Sequence, residues 1–211
     1  GLGRKARRVL EESRESIAAI LGAHPDEVLF TSGGTESNNT AIFGLARGKE
    51  GTIALSPGEH PANLEACRVL MRRGWKLERL PVDDQGRLVI DGPSKPRDRH
   101  PWASVALILA HNETGVIQDV APVREWCAAA NCPLHLDGVQ AVGKIPVNFH
   151  ELGAATLSFG AHKFHGPRGI GGLLVRRGTR LTPLLYGGHQ EQERRPGTEA
   201  VPLIAGMAKA L

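Results

Sequence analysis

Short, mostly apolar runs alternate along this chain with segments of helical period, and that alternation restricts its fold more than any other feature. Val28-Leu29-Phe30, Thr52–Leu55, Lys76–Leu80, Val105–Ala110, Leu134–Asp137, Ala155–Phe159 and Ile170–Val175 read as strands. Between them, Gly3–Leu21 repeats Val9, Leu10, Ile17, Ile20 and Leu21 near a 3.6-residue period, and Gly22 ends it. Further helices are predicted from near Glu36 to Leu45, over Pro61–Met71 and over Pro122–Ala130. Strands without polar alternation are covered on both faces. The predicted class is therefore α/β, a three-layer αβα arrangement around a mostly parallel sheet.

The polar, proline-rich stretch Pro93–Pro101 reads as a loop inside that domain, and no repeat or low-complexity segment divides residues 1–211. The chain begins without methionine inside a helical pattern and ends in one, I-A-G-M-A-K-A-L. The expectation is a fragment of a longer protein.

Charge narrows the partners. The formal net charge is only +4 with the basic residues dispersed, so nucleic acid is not called for. Arg4, Lys5, Arg7 and Arg8 run into Glu11, Glu12 and Glu15, as on a solvated helix face. No apolar run reaches the roughly 18 residues of a membrane span, and no signal peptide is visible. Cys67, Cys127 and Cys132 have neither metal-type spacing nor an even count for a disulfide framework. They suit a reducing, cytoplasmic setting as small buried hydrophobes.

In parallel sheets ligands gather at the carboxyl ends of the strands, and every candidate chemical residue falls there. Lys163 lies in S-F-G-A-H-K-F-H-G-P-R-G, flanked by small residues and glycines at a tight turn. An amine so placed is suited to Schiff-base chemistry. Asp137 ends the upstream strand and can keep a heterocyclic nitrogen protonated; the pair points to pyridoxal 5'-phosphate (PLP). T-S-G-G-T before a helix can offer Gly34, Thr35 and neighbouring N–H groups to a phosphate, or be a capped turn. His135-x-Asp137 and His162-x-x-His165 admit a metal reading, but it leaves Lys163 and the glycine turn unexplained. His60, Asn112 and Gln140 also stand at strand ends, as proton carrier and amide ligands or as ordinary loop and cap residues.

Six segments in order resemble the cysteine desulfurases of the NifS/IscS type, fold-type I PLP enzymes: F-T-S-G-G-T-E-S-N-N, G-E-H-P-A-N-L, A-H-N-E-T-G-V-I-Q-D, H-L-D-G-V-Q-A-V-G-K, S-F-G-A-H-K-F-H-G-P-R-G-I-G-G-L and R-R-P-G-T-E. The resemblance spans nearly the whole chain. It implies that Lys163 joins the cofactor and carries the proton at the substrate α carbon, with His60 assisting. Asp137 would meet the pyridine nitrogen and Gln140 the ring hydroxyl, while Gly34, Thr35 and His162 would bind phosphate. Asn112 would orient substrate and cofactor, and Thr198 would reach the phosphate of a neighbouring subunit, implying a homodimer.

The implied substrate is L-cysteine, converted to L-alanine with sulfur passed to an enzyme cysteine and then to an acceptor protein, an iron–sulfur scaffold or thiolation carrier. Selenocysteine lyases and aminotransferases share the scaffold, and a non-catalytic PLP-binding protein is a further alternative. Gly160 stands where the family commonly has a phosphate-binding serine, so a weaker phosphate cup is expected. The family's persulfide-forming cysteine and carboxylate-binding arginine would lie beyond Leu211, and none of the three cysteines matches that position.

Overall fold

The computed structural model describes residues 1–89 and 102–211, so the loop predicted at Pro93–Pro101 lies outside the described residues. Helices α1 (Leu2–Ile20), α2 (Gly34–Leu45), α3 (Pro61–Arg72), α4 (Ala121–Ala129), α5 (Phe149–Leu152) and α6 (Val201–Ala210) surround seven strands. These are β1 (Val28–Thr31), β2 (Thr52–Leu55), β3 (Lys76–Arg79), β4 (Ser104–Ile108), β5 (Leu134–Asp137), β6 (Thr156–Gly160) and β7 (Gly171–Val175). They form one sheet in the order β1-β7-β6-β5-β4-β2-β3. β2 to β6 run parallel, while β7 is antiparallel to both β6 and β1.

The three-layer expectation holds, and the apolar residues show how. Val105 and Leu107 of β4 face one core with Leu10 and Ile17 of α1, Val123 of α4 and Ile204 and Met207 of α6. Ala106 faces the other core, with Ile42 of α2 and Ala66, Cys67 and Leu70 of α3. Every residue of β4 to β7 is buried, which is why those strands read as mostly apolar runs without an exposed polar face. The antiparallel pairing of β7 was not visible for the same reason: a strand buried on both faces carries no mark of direction. The predicted strand at Val105–Ala110 stops at Ile108, and Ala110 instead forms an isolated bridge to Ile117. The short helix α5 was missed, although Asn148 caps it by accepting from the N–H groups of His150 and Glu151.

Two features fix the β1 side of the sheet. Gly171 is required by close packing: a Cβ there would lie 2.6 Å from the Phe159 carbonyl and 2.7 Å from the Gly33 Cα. The turn after β1 therefore rests directly on β7. On the open edge of β1, Arg14 donates to the Val28 carbonyl at 2.6 Å, and the Phe30 N–H donates to Glu191 at 3.0 Å. Arg14 and Glu191 are themselves joined through two hydrogen bonds of 2.7 and 3.0 Å. This buried pair satisfies an exposed ladder edge. It also holds the turn Glu191–Glu193, where three consecutive non-glycine residues have φ of 49°, 57° and 63°.

Replacing Arg14 by alanine leaves Glu191 buried without its cation. The expected loss is about 3–5 kcal/mol, read as a lower denaturation midpoint with unchanged slope. A loss below about 1 kcal/mol would show that the edge is held by other contacts.

At the opposite, amino-terminal edge of the strands His24, Glu27 and His150 gather. Glu27 accepts from the His24 N–H at 2.8 Å, His150 Nε2 at 2.7 Å and the Arg177 N–H at 2.9 Å. Burial opposes its charge, but these donors outweigh it and hold the carboxyl below its ordinary pKa. The cluster ties the entry to β1 to α5 and to the exit from β7.

Candidate active site

A cavity of about 520 Å³ opens at the carboxyl ends of the parallel strands. It is lined by Gly34 and Thr35 after β1, His60 after β2, Asn112 after β4, Asp137 and Gln140 at and after β5, and His162 and Lys163 after β6. Eight sequence-predicted positions, drawn from five strand ends, thus share one cavity. Thr198 does not: it is exposed and lines a separate small recess with Phe30, Ser32 and Gly169.

Asp137 is the buried floor of the site, 3% exposed. Its Oδ1 accepts from the Val139 N–H at 3.0 Å and Ser158 Oγ at 3.4 Å, and its Oδ2 from Asn38 Nδ2 at 2.6 Å and Asn63 Nδ2 at 3.4 Å. Among the described residues it has no ion-pair partner within 4 Å. Burial keeps its pKa above the ordinary carboxylate value despite those donors and the nearby His60. A cation arriving from the cavity would relieve that desolvation.

Behind Asn38 lies His135, whose Nε2 pairs with Asn38 Oδ1 at 3.0 Å and whose Nδ1 pairs with Thr156 Oγ1 at 2.9 Å. Burial pushes its pKa down to about 3, so the ring is neutral and both nitrogens are engaged. Both ring nitrogens of His135 are thereby committed to hydrogen-bonded support of Asn38 and Thr156.

The opposite character develops where α2 begins. Gly33 precedes the helix with no side-chain cap, and Gly34 and Thr35 stand at its first turn. Gly34 must be glycine because a Cβ would come within 2.5 Å of Val139 Cγ2. The Gly34 nitrogen and the His162 ring both lie within 3.6 Å of the Cβ that Gly160 lacks, so these groups converge beside β6. Helix-end amides, Lys163 and Arg168 make this wall electropositive, and the Glu36 carboxylate on the rim is paired with Arg195. Burial, then Lys163 and Arg168, lower the His162 pKa.

Lys163 sits in a single 3-10 turn, Ala161–Phe164, that ends at His165 with a left-handed φ of 66°. It is half-buried and makes no hydrogen bond or ion pair among the described residues. His60 proves to be the cap of α3, its Nδ1 accepting from the Ala62 N–H at 3.1 Å. With Nδ1 accepting, the ring N–H is on Nε2. Gln140 accepts from Lys144, four residues on. The sequence reading missed Asn38, Asn63 and Ser158, the donors to Asp137. It also missed the Glu36–Arg195 ion pair at 2.8 Å, which ties the R-R-P-G-T-E segment to the cavity rim.

The three thiols lie elsewhere. Burial, with Glu59 adding, pushes Cys67 up to about 12. Cys127 is raised by its contact with Cys132 and by burial. All three are buried, and none lines the cavity.

The donor set fits PLP: among the described residues, an amine with no competing partner, a buried carboxylate lacking a cation, and an electropositive glycine turn at a helix start. The family model described as aminotransferase class-V matches residues 1–211. A cysteine desulfurase IscS from Dictyoglomus turgidum is 44% identical over 214 residues, 99% of this chain and 54% of the relative. A cysteine desulfurase from Sinorhizobium fredii is 44% identical over 212 residues, with the same two coverages. Among solved structures, a NifS-like protein superposes with TM-score 0.90 at 36% identity, covering 100% of this chain and 59% of that one. The structure titled SspA in complex with cysteine gives 0.89 at 32%, covering 99% and 61%. The chain spans about half the length of the curated relatives it matches.

Proposed function

The chain belongs to the class-V aminotransferase family, and from that premise we propose that it is the PLP-binding part of a cysteine desulfurase. The observation that carries the reading is the meeting of Lys163, Asp137 and the Gly34–Thr35 helix start in one cavity. When bound, PLP supplies an electron sink for a carbanion at the substrate α carbon.

The chain's own residues account for the rest. Asp137 holds a proton on the cofactor's ring nitrogen, and its four donors keep the carboxylate fixed as it does so. Gly34, Thr35 and His162 hold the phosphate, and Gln140 and Asn112 orient the ring and the substrate. Without a serine hydroxyl at Gly160, the phosphate loses one donor worth about 1 kcal/mol. Lys163 Nζ attaches the cofactor and moves the proton at the substrate α carbon, with the His60 Nε2 proton available at the cavity wall.

The substrate is L-cysteine, and its sulfur passes to a cysteine that is none of Cys67, Cys127 or Cys132, given their burial outside the cavity. An acceptor protein, an iron–sulfur scaffold or a thiolation carrier, takes the sulfur onward. Thr198 serves the phosphate of a second copy in a homodimer. This suits its exposure outside its own cavity and the anchoring of its segment by Arg195–Glu36 and Arg14–Glu191. The buried free thiols suit a reducing cytoplasm. Among the described residues no helix is long and apolar enough to cross a membrane.

Adding PLP to the 211-residue chain should produce the visible absorbance of a lysine-bound cofactor, and borohydride reduction should leave the label on the Lys163 peptide. The complete protein should then form L-alanine from L-cysteine. Label on another lysine, or amino-group transfer without sulfur release, would overturn the assignment.

A further inference from the structure

Glu59 lies one layer behind the cavity and takes no part in the reaction just described. It is 4% exposed and Asn63 is fully buried. Glu59 Oε1 accepts from Ser56 Oγ at 2.7 Å and from the Ile108 N–H at 2.6 Å. Its Oε2 accepts from Asn63 Nδ2 at 2.7 Å, and the same Nδ2 reaches Asp137 Oδ2 at 3.4 Å. One buried amide nitrogen therefore bridges two buried carboxyls. Among the described residues the Asn63 side-chain Oδ1 has no hydrogen-bond partner, an unfavourable burial that calls for an explanation. The bridge supplies one, since it directs both amide hydrogens to the carboxyls and leaves the oxygen without a donor.

We propose that Glu59 and Asn63 are positioning residues for Asp137, a carboxyl–amide bracket that fixes Oδ2 and leaves the negative charge of the pair on Asp137. The proposal rests on the reading of Asp137 as the partner of the cofactor's ring nitrogen. Two buried carboxyls without a cation in contact cannot both ionise cheaply, and the one sealed from the cavity is Glu59. Its burial pushes its pKa up to about 8 against the donors Ser56, Asn63 and Ile108, with the Asp137 charge adding. When Glu59 is protonated, the Ser56 hydroxyl turns from donor to acceptor in the bond the two share.

The titratable groups facing this bracket are Asp137 from β5, Cys67 from α3 and His60 at the start of α3, with His135 behind Asn38 and Lys163 across the cavity. Cys67 is pushed up to about 12 and His135 down to about 3, so neither changes charge near pH 8.

The test uses the 211-residue chain with PLP and reads cofactor affinity and the pH profile of the visible band. The wild type should show an inflection near pH 8, where Glu59 ionises beside Asp137. E59Q should lose that inflection. Its amide can be accommodated only if Asn63 turns over, which withdraws an N–H from Asp137, so PLP should bind about tenfold more weakly. N63L should weaken PLP by a similar factor. An inflection that survives in E59Q, no inflection in the wild type, or unchanged PLP affinity in E59Q would each overturn the bracket. If circular dichroism shows N63L unfolded, the near-isosteric E59Q decides alone. A wild-type chain that forms no lysine-bound band would instead overturn the reading of the cavity itself.

Discussion

Replacing Lys163 with alanine should abolish covalent attachment of PLP and the visible absorbance that goes with it, while leaving the fold intact. The two halves of that expectation come from the same observation. Lys163 is half-buried in the turn after β6 and has no hydrogen bond or ion pair among the described residues. Its removal breaks no hydrogen bond or ion pair among the described residues, and a stability change within about 0.5 kcal/mol is expected. Among the described residues, the amine is nonetheless the only lysine lining the cavity. In the complete protein its loss removes both the attachment point and the proton carrier, so turnover should fall on the order of 10⁴-fold or more. Residual, non-covalent PLP should still bind through the helix start and Asp137. Lys163→Arg keeps a cation without a usable nucleophile and should behave like the alanine variant. A visible cofactor band in either variant, or a large drop in melting temperature, would show that Lys163 is structural.

Much of this site was legible before any coordinates because chemistry-bearing residues at strand ends are fixed by topology. Once β2, β4, β5 and β6 are parallel, His60, Asn112, Asp137 and Lys163 must fall on one side of the sheet. What holds them was not legible. Asp137 depends on Asn38 and Asn63, 99 and 74 residues away in sequence, and nothing local marks those asparagines as inward-facing. A buried asparagine on a helix looks in sequence like any polar residue on an exposed face. His60 was readable as a loop histidine or a proton carrier; its role as the α3 cap emerged only from the geometry of the Ala62 N–H.

The direction of β1 and β7 was hidden for a different reason. Phe30 and Leu173 belong to strands buried throughout, so burial pattern carries no information on pairing. The signal present was steric, in Gly171 and Gly172, where the neighbouring β6 and the Gly33 turn leave no space for a side chain. The Arg14–Glu191 pair lay beyond sequence reasoning altogether, since its members are 177 residues apart.

Asp137 should respond to substitution in the opposite way to Lys163, losing stability and cofactor together. All four of its contacts donate to it, two on each oxygen. Asp137→Asn keeps the shape but turns an NH₂ toward two donors on one side, so a buried repulsion replaces a satisfied acceptor. The expected cost is about 1–3 kcal/mol of folding stability. The amide also cannot keep the ring nitrogen protonated. Losing a hydrogen bond to a charged group weakens PLP by about 2 kcal/mol, on the order of thirtyfold. Turnover of the complete protein should fall further than affinity, because the carboxylate acts most strongly where charge develops on the ring. Asp137→Ala removes the repulsion but strands four donors in the core, so it should bind PLP no better than the asparagine variant. Calorimetry and PLP titration on the three proteins separate the contributions. If Asp137→Asn bound PLP as tightly as the wild type, the buried carboxylate would be a packing element, and the ring nitrogen would have to find its partner elsewhere in the cavity.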